Sequence, residues 1–305
     1  MLVRGLVTLL VLGALSAPAA AQDLGHRVLG TLGSRAGEQR DAGLYVADRL
    51  VYYGASTIRD RAGQPLAVEG FRAEALGNAF GLAATFEIPE LATYVSFAAA
   101  APLARVSLRA DRPEASLDRF GLGDVYLMPA GLGWRVPHLD VVATYGIYVP
   151  TGLFRLGEGN LGSGHVTHQL GAGAAVFFDD ERRFRVSALA SFDLNHRKVG
   201  VDIVRGETVQ VQGGAGALLF DLVDVGVIGA ALWQVGDDSG ADIPPALLGA
   251  RDRVVGVGAE ISVIVAPISG RVGMRYLWET AAQSRPEGHV LVFELAILAW
   301  SPARE

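Results

Sequence analysis

Apolar and polar residues alternate with period two along much of the chain. In 271–279, Arg271, Gly273, Arg275, Leu277 and Glu279 share one face, and Val272, Met274, Tyr276 and Trp278 share the other. That is the pattern of a strand with one apolar side. In 183–195, Arg183, Arg185, Ser187, Ser191, Asp193 and Asn195 oppose Phe184, Val186, Ala188, Ala190, Phe192 and Leu194. In 252–265, Asp252, Gly256, Gly258, Glu260 and Ser262 oppose Val255, Val257, Ala259, Ile261, Val263 and Val265. The stretches 208–217 and 223–235 follow the same rule, the latter with Val223, Val225, Val227, Ala231, Trp233 and Val235 on its apolar face. Read throughout, the pattern predicts twelve strands, at 43–53, 66–87, 91–110, 121–135, 138–150, 164–178, 183–196, 203–220, 223–236, 251–265, 269–280 and 287–300. Many exceed the usual five or six residues of globular sheets and reach the 9–11 that a tilted membrane strand needs.

The connections alternate in kind. Short ones at 88–90, 136–137, 179–182, 221–222 and 266–268 take turns with longer, polar, Gly-rich ones at 54–65, 111–120, 151–163, 197–202, 236–250 and 281–286. Short turns at one end, long loops at the other and an even strand count characterise outer-membrane barrels. Aromatics flank the short turns (Phe86, Trp134, Phe177, Phe178, Phe184, Phe220, Trp300) and the long loops (Tyr52, Tyr53, Tyr148, Phe192, Trp233, Trp278), as interfacial girdles do. The expected fold is therefore all-β: a transmembrane antiparallel up-and-down β-barrel of about twelve strands, outer-membrane type, over residues 43–300. Closure satisfies every backbone N–H and C=O within hydrocarbon and leaves no edge.

Composition removes the competing classes. Half of the 305 residues are hydrophobic and mean hydropathy is +0.32, too apolar for a disordered chain. The 39 glycines argue against a helical membrane protein. Past the N-terminus the longest uncharged run, 159–178, holds five Gly plus Asn160, Ser163, His165, Thr167, His168 and Gln169, so it is no spanning helix. No cysteine is present, which excludes disulfides, thiolate metal sites and a thiol nucleophile. Residues 1–21 read as an export signal, with Arg4, the apolar run 6–15 and Ala19-Ala20-Ala21 at the cleavage site. Removing that segment, with its one charge at Arg4, takes the formal charge from −6 to −7, which disfavours nucleic acid as a partner. The polar segment 22–42, with Arg27, Arg35 and Arg40, is expected either as a periplasmic tail or as a partial plug of the lumen. Residues 301–305 form a C-terminal tail after Trp300, where barrel-assembly signals usually end on an aromatic residue.

The segment Gly121-Leu122-Gly123-Asp124 … Pro129 … Leu132-Gly133-Trp134 is followed by Pro150-Thr151-Gly152 and Asn160-Leu161-Gly162. With Gly43-Leu44-Tyr45, Tyr52-Tyr53, the 60–63 turn, Tyr276, Glu279 and the 285–288 turn, the chain resembles the outer-membrane barrel family associated with the meta-pathway of phenol degradation. The resemblance spans residues 43–300. It implies a transporter that passes small aromatic or other hydrophobic compounds across the outer membrane.

If the apolar faces meet lipid, the charges within strands point into the lumen: Arg183, Arg185, Asp193, Glu260, Arg271, Arg275, Glu279 and Glu294. An arginine on the lipid face near the midplane costs about 2–4 kcal/mol. Glu260, Arg271, Arg275, Glu279 and Glu294 fall on adjacent predicted strands and are expected to form one ion-pair network that fills, constricts and selects. The stretch 157–164 is glycine-rich but precedes a strand and carries no lysine, so it reads as an extracellular loop rather than a phosphate loop. His165 and His168 lie three apart, on opposite strand faces, so they cannot share an ion. His165 and Thr167 do share a face, the basis for an alternative reading as a barrel lipid hydrolase. Asp237, Asp238 and Asp242 lack a regular Ca²⁺-loop spacing and read as a solvated acidic loop. The leading expectation is a passive channel for small hydrophobic or aromatic solutes, not an enzyme, with no cofactor and no metal. The expected partners are outer-membrane lipid and lipopolysaccharide, the barrel-assembly machinery and the solute. A structural or adhesive barrel is the remaining alternative.

Overall fold

The structure is a computed structural model that describes residues 28–155 and 160–302. The predicted signal, and residues 22–27 of the segment after it, lie outside the described residues. Thirteen strands follow one another: β1 (Gly43–Arg59), β2 (Arg72–Ile88), β3 (Thr93–Ala110), β4 (Ala115–Leu122), β5 (Val125–Val136), β6 (Leu139–Val149), β7 (Thr167–Phe177), β8 (Phe184–Asn195), β9 (Thr208–Leu219), β10 (Val223–Gln234), β11 (Arg253–Val265), β12 (Gly270–Gln283) and β13 (Arg285–Trp300). Sequence neighbours pair antiparallel except β4 and β5, which both pair with β3, and β13 pairs with β1, so the sheet closes. Strands β4 and β5 are two halves of one crossing, and the wall is a twelve-stranded barrel.

The break between those halves has a local cause. Strand β3 pairs with β4 as far as Leu103↔Leu122 and resumes with β5 at Ala100↔Tyr126. Between them on β3 lie Ala101 and Pro102, and Pro102 accepts a hydrogen bond from Gly123 N (2.9 Å) but has no N–H to return. The carbonyl of Gly123 takes the Thr151 hydroxyl instead (2.9 Å).

The alternation sorts the two faces as their chemistry requires. On β12, Val272, Met274, Tyr276 and Trp278 are exposed on the outer wall, whereas Leu277 and Glu279 are each only 1% exposed. On β8, Phe184 and Val186 face outwards while Arg185, Ser187, Ser191 and Asp193 are buried inside. The short turns are tight. Phe220 and Asp221 both take positive φ (56° and 52°), the two-residue reversal whose twist matches a hairpin. The turns after β2 and β11 are single 3-10 turns that end on Ala92 and Ser269 in the left-handed region.

Several boundaries differ from the expectation, the first being that β1 runs on to Arg59, so 54–59 is strand and not loop. The stretch 111–120 is not all loop: Ala115–Leu122 is strand, with Asp118 on the outer face, paired at 2.5 Å with Arg105 of β3, and Arg119 on the inner one. Residues 281–286 form no long loop, because β12 and β13 continue to a reversal at Ser284 (φ 57°), held as Arg59 and Ala282 N both bind the Glu287 carboxylate. Residues 66–71 precede β2 rather than belonging to it, since Leu66 N bonds back to Ile58 O and Gly70 sits at φ +66°. Residues 203–207 lie outside β9: Ile203 is buried and Val204 bridges to Arg197 and Ser239 in neighbouring loops. Among the girdle aromatics, Tyr53, Tyr148 and Phe177 are buried on inward-facing positions, Phe177 under the Arg182 guanidinium at 3.6 Å.

Candidate functional site: the barrel interior

Residues 28–42 climb inside the barrel from the short-turn end. At the base, Arg135 pairs with Asp41 (2.7 Å) and bonds the Gln39 carbonyl, while Gln39 N donates to buried Asp140 (3.0 Å). Higher up, Gly37 passes so close to the backbone of Ala174 that no Cβ fits there. Ser34 is fully buried, its carbonyl accepting from Arg185 Nε (3.1 Å) and the Ser187 hydroxyl (2.7 Å), its own N–H donating to Glu260 (2.9 Å). Gly30 N and Leu32 N share the Gln212 amide oxygen (3.0 and 3.1 Å). At the top, Leu29 packs into an apolar cluster with Tyr53, Ile228, Leu232, Val254, Leu277 and Val292. Because buried backbone groups must find partners, the inward polar side chains of β6, β8, β9 and β11 supply them.

Around this segment lies a charged lattice. Arg275 bridges Glu260 (2.8 Å) and Glu294 (3.3 Å), and Arg49 also binds Glu294. Asp224 receives Arg185 (2.7 Å), Arg271 (2.5 Å) and Arg35 (2.8 Å), and Arg35 also holds Glu38 (2.7 Å).

The structure brings together Arg185, Glu260, Arg271, Arg275 and Glu294 in this lattice. It separates three of the residues named from sequence. Arg183 precedes β8 and sits at the short-turn rim, half-exposed, against Asp221 (3.2 Å), so it is not in the lumen. Asp193 lies higher in the barrel among uncharged partners, accepting from Gln169 (2.8 Å) and Thr208 (3.2 Å). Glu279 is held apart with Arg285 (3.6 Å), Tyr53 (3.1 Å) and Gly288 N (2.9 Å), so the single five-membered network does not exist. The cause is depth: Glu279 lies four residues beyond Arg275 along β12, roughly 13 Å at 3.3 Å per residue. Sequence reasoning did not single out Asp224, Arg49, Arg35 or Gln212. Asp224 was legible as the polar partner in the alternation Val223-Asp224-Val225; Arg49, beside Asp48, carried no such alternation, and the others depend on where 28–42 lies.

Opposite the lattice the lumen is open. A cavity of about 1910 Å³ runs along β1–β6. Its wall on β2 and β3 is a field of alanines, Ala73, Ala75, Ala79, Ala83, Ala98, Ala100 and Ala104, with Val51, Phe71, Val106 and Leu108 among them. Phe154 and residues 160–163, from the loop after β6, line its top. There Asp124 accepts from Gly152 N (3.0 Å) and from Ser163 N and Oγ (both 2.7 Å), and Thr151 ties the strand break. Gly152 and Gly162 pass too closely for a Cβ on either. The Gly-Asp, Pro-Thr-Gly and Asn-Leu-Gly motifs meet in this latch.

His165 is buried, with Nδ1 at Ser163 O (3.1 Å) and Nε2 at Asn195 Oδ1 (3.2 Å), and Thr167 Oγ1 donates to the same Asn195 oxygen (2.7 Å). His168 faces the other way, stacked on Tyr145 and 3.0 Å from His196. Asp237, Asp238 and Asp242 are not simply solvated: they take Arg251 (2.7 Å), Gly206 N (2.9 Å) and Asp202 N (2.7 Å), which tie neighbouring loops together.

The fold is shared with known outer-membrane proteins. The COG4313 outer membrane channel from Pseudomonas putida F1 superposes with a TM-score of 0.75 at 13% identity, over 86% of this chain and 97% of that one. The β-domain of the Bordetella autotransporter BrkA gives a TM-score of 0.50 at 13% identity, over 85% and 100%. No curated protein matches the chain in sequence. Residues 56–295 match the family described as the putative MetA-pathway of phenol degradation, and the chain belongs to that family.

Proposed function

We propose that the protein is an outer-membrane channel through which small hydrophobic or aromatic solutes diffuse passively, using the alanine-lined side of the lumen. The observation that carries this reading is the 1910 Å³ cavity between the alanine wall and the segment 28–42. On the β2–β3 side small apolar side chains leave room for a solute and offer it no hydrogen bond, while charged groups such as Arg49, Arg275 and Glu294 line only the other side, so a sugar would recover only part of the hydration it loses. An aromatic solute loses only unfavourable hydration there. The like-folded COG4313 protein is itself described as an outer membrane channel. The charged lattice fixes 28–42 against the opposite wall, which confines passage to the apolar side.

The lipid-hydrolase reading is disfavoured by the same geometry. Thr167 is fully buried and its one hydroxyl proton is donated to Asn195, so the nucleophile this reading needs is withheld from a lipid substrate.

Proteoliposomes containing the protein are expected to take up a small aromatic hydrocarbon faster than protein-free vesicles and to stay closed to a disaccharide. Ala100→Trp, which fills the cavity wall, is expected to abolish the aromatic flux. Equal flux in the variant, or free passage of the disaccharide, overturns the reading. Retained lipid cleavage that is lost on His165→Ala revives the hydrolase.

A further inference from the structure

The outer wall at β1–β4 departs from a plain lipid face. Its outward-facing positions follow from exposure: Leu76 and Phe80 on β2, Leu103 on β3, Phe120 and Leu122 on β4. Successive rungs can then be read across the strands from the register. One rung carries Tyr52, Leu76, Arg105 and Phe120. Tyr52 there meets His289, which stacks on Tyr276, so this rung belongs to the aromatic girdle at the long-loop end. The next outward rung carries Glu74, Ser107 and Asp118, and the one beyond it Arg72, Arg109 and Ser116.

Arg72 and Arg109 are thus direct cross-strand partners. Like charges placed opposite one another on a sheet repel and destabilise the pair. Both side chains are exposed, and neither has a hydrogen bond or ion pair among the described residues. The nearby carboxylates are engaged: Asp118 with Arg105, Glu74 with the Tyr52 hydroxyl. The two guanidinium groups stand four residues above the girdle, about 10 Å along the membrane normal for a strand tilted as in such barrels. That is headgroup depth, not loop height. Directly below them the outer wall has a depression whose apolar lining is Leu50, Leu76, Leu103 and Phe120.

Two unpaired arginines side by side over an apolar depression fit one kind of occupant. We propose that this face binds the phosphorylated glycolipid of the outer leaflet, lipopolysaccharide. A lipid A phosphate sits between Arg72 and Arg109, and an acyl chain lies in the depression against Phe120. Guanidinium groups suit phosphate because their planar donors meet its oxygens in pairs. The bound phosphate also removes the Arg72–Arg109 repulsion. This inference needs the outer-membrane orientation, with long loops outside, but not the identity of what the lumen carries.

Native mass spectrometry of the purified, detergent-solubilised barrel with added lipid A tests it. A one-to-one adduct with bis-phosphorylated lipid A is expected. Arg72→Glu/Arg109→Glu is expected to weaken it about tenfold or more, while Arg197→Glu, on a distant loop, leaves it unchanged. Lipid A stripped of its phosphates, and phosphatidylglycerol, are expected to bind no better than to the double variant. Heat-modifiable migration and unchanged aromatic flux show that the double variant is folded, and keep this test separate from that of the channel. Undiminished binding by the folded double variant, or equal binding of the dephosphorylated lipid, overturns the proposal.

Discussion

The two sides of the lumen are built from the same kind of strand and yet have opposite interiors. Along β8–β13 the inward positions carry Arg185, Asp224, Glu260, Arg271, Arg275 and Glu294, and residues 28–42 are packed against them. Along β2–β3 the inward positions are alanines, and nothing among the described residues fills the space between. The difference teaches that a twelve-stranded barrel is not one pore. The charges of one wall neutralise one another, and the polar side chains of that wall also bind the backbone of the chain's own N-terminal segment; an alanine wall offers that segment no partner and remains open.

The comparison breaks most completely when the captured segment is removed. Deleting residues 28–40 exposes the polar wall to water, and single-channel recordings are expected to show ion conductance several-fold above the intact protein. Aromatic uptake should change far less, since the alanine wall is untouched. Asp224→Ala leaves Arg185, Arg271 and Arg35 without their shared carboxylate; removing one partner of a buried pair costs about 3–5 kcal/mol. Urea unfolding in detergent is expected to report a loss of that order. Arg275→Ala should raise ion conductance more modestly than the deletion, because the segment keeps its bonds to Arg185, Ser187 and Gln212. The smallest effect concerns the loops. A hydrogen bond from Arg251 holds the Asp237 carboxyl below its ordinary value of 3.8. Its contribution is therefore complete above that pH and is lost as pH falls through the lowered value. Hydrogen exchange in loop 235–252 should accelerate only in strongly acidic buffer, and Arg251→Gln should remove that dependence.

Much of the wall was readable in the chain. Val272, Met274, Tyr276 and Trp278 alternate with Arg271, Gly273, Arg275 and Leu277, and that period of two suffices to assign the face towards lipid, the length of the strand and the direction of its charges. Where charge was dense, as in 111–120, the alternation was masked, because a strand at the barrel's upper rim carries polar groups on both faces. Where a reversal needs a single residue, as at Ser284, no Gly or Pro marked it. The grouping of charges was less legible than their direction. Arg275 and Glu279 share a face of β12, yet only Arg275 reaches Glu260 and Glu294, since the register of neighbouring strands decides which rungs meet.

Sequence alone determined that this chain is a closed outer-membrane barrel, because binary alternation over a dozen long strands has no other stable solution in hydrocarbon. It also gave the inward direction of Arg185, Glu260, Arg271, Arg275 and Glu294, but not of Tyr53, Tyr148 and Phe177. Only the tertiary structure decided what the inward residues do: that Asp224 gathers three arginines, that Asp124 latches the loop after β6, and that residues 28–42 lie on one side of the lumen. Those outcomes depend on strand register, depth and the path of a segment without periodicity, and no local pattern encodes contacts between residues 150 or more positions apart.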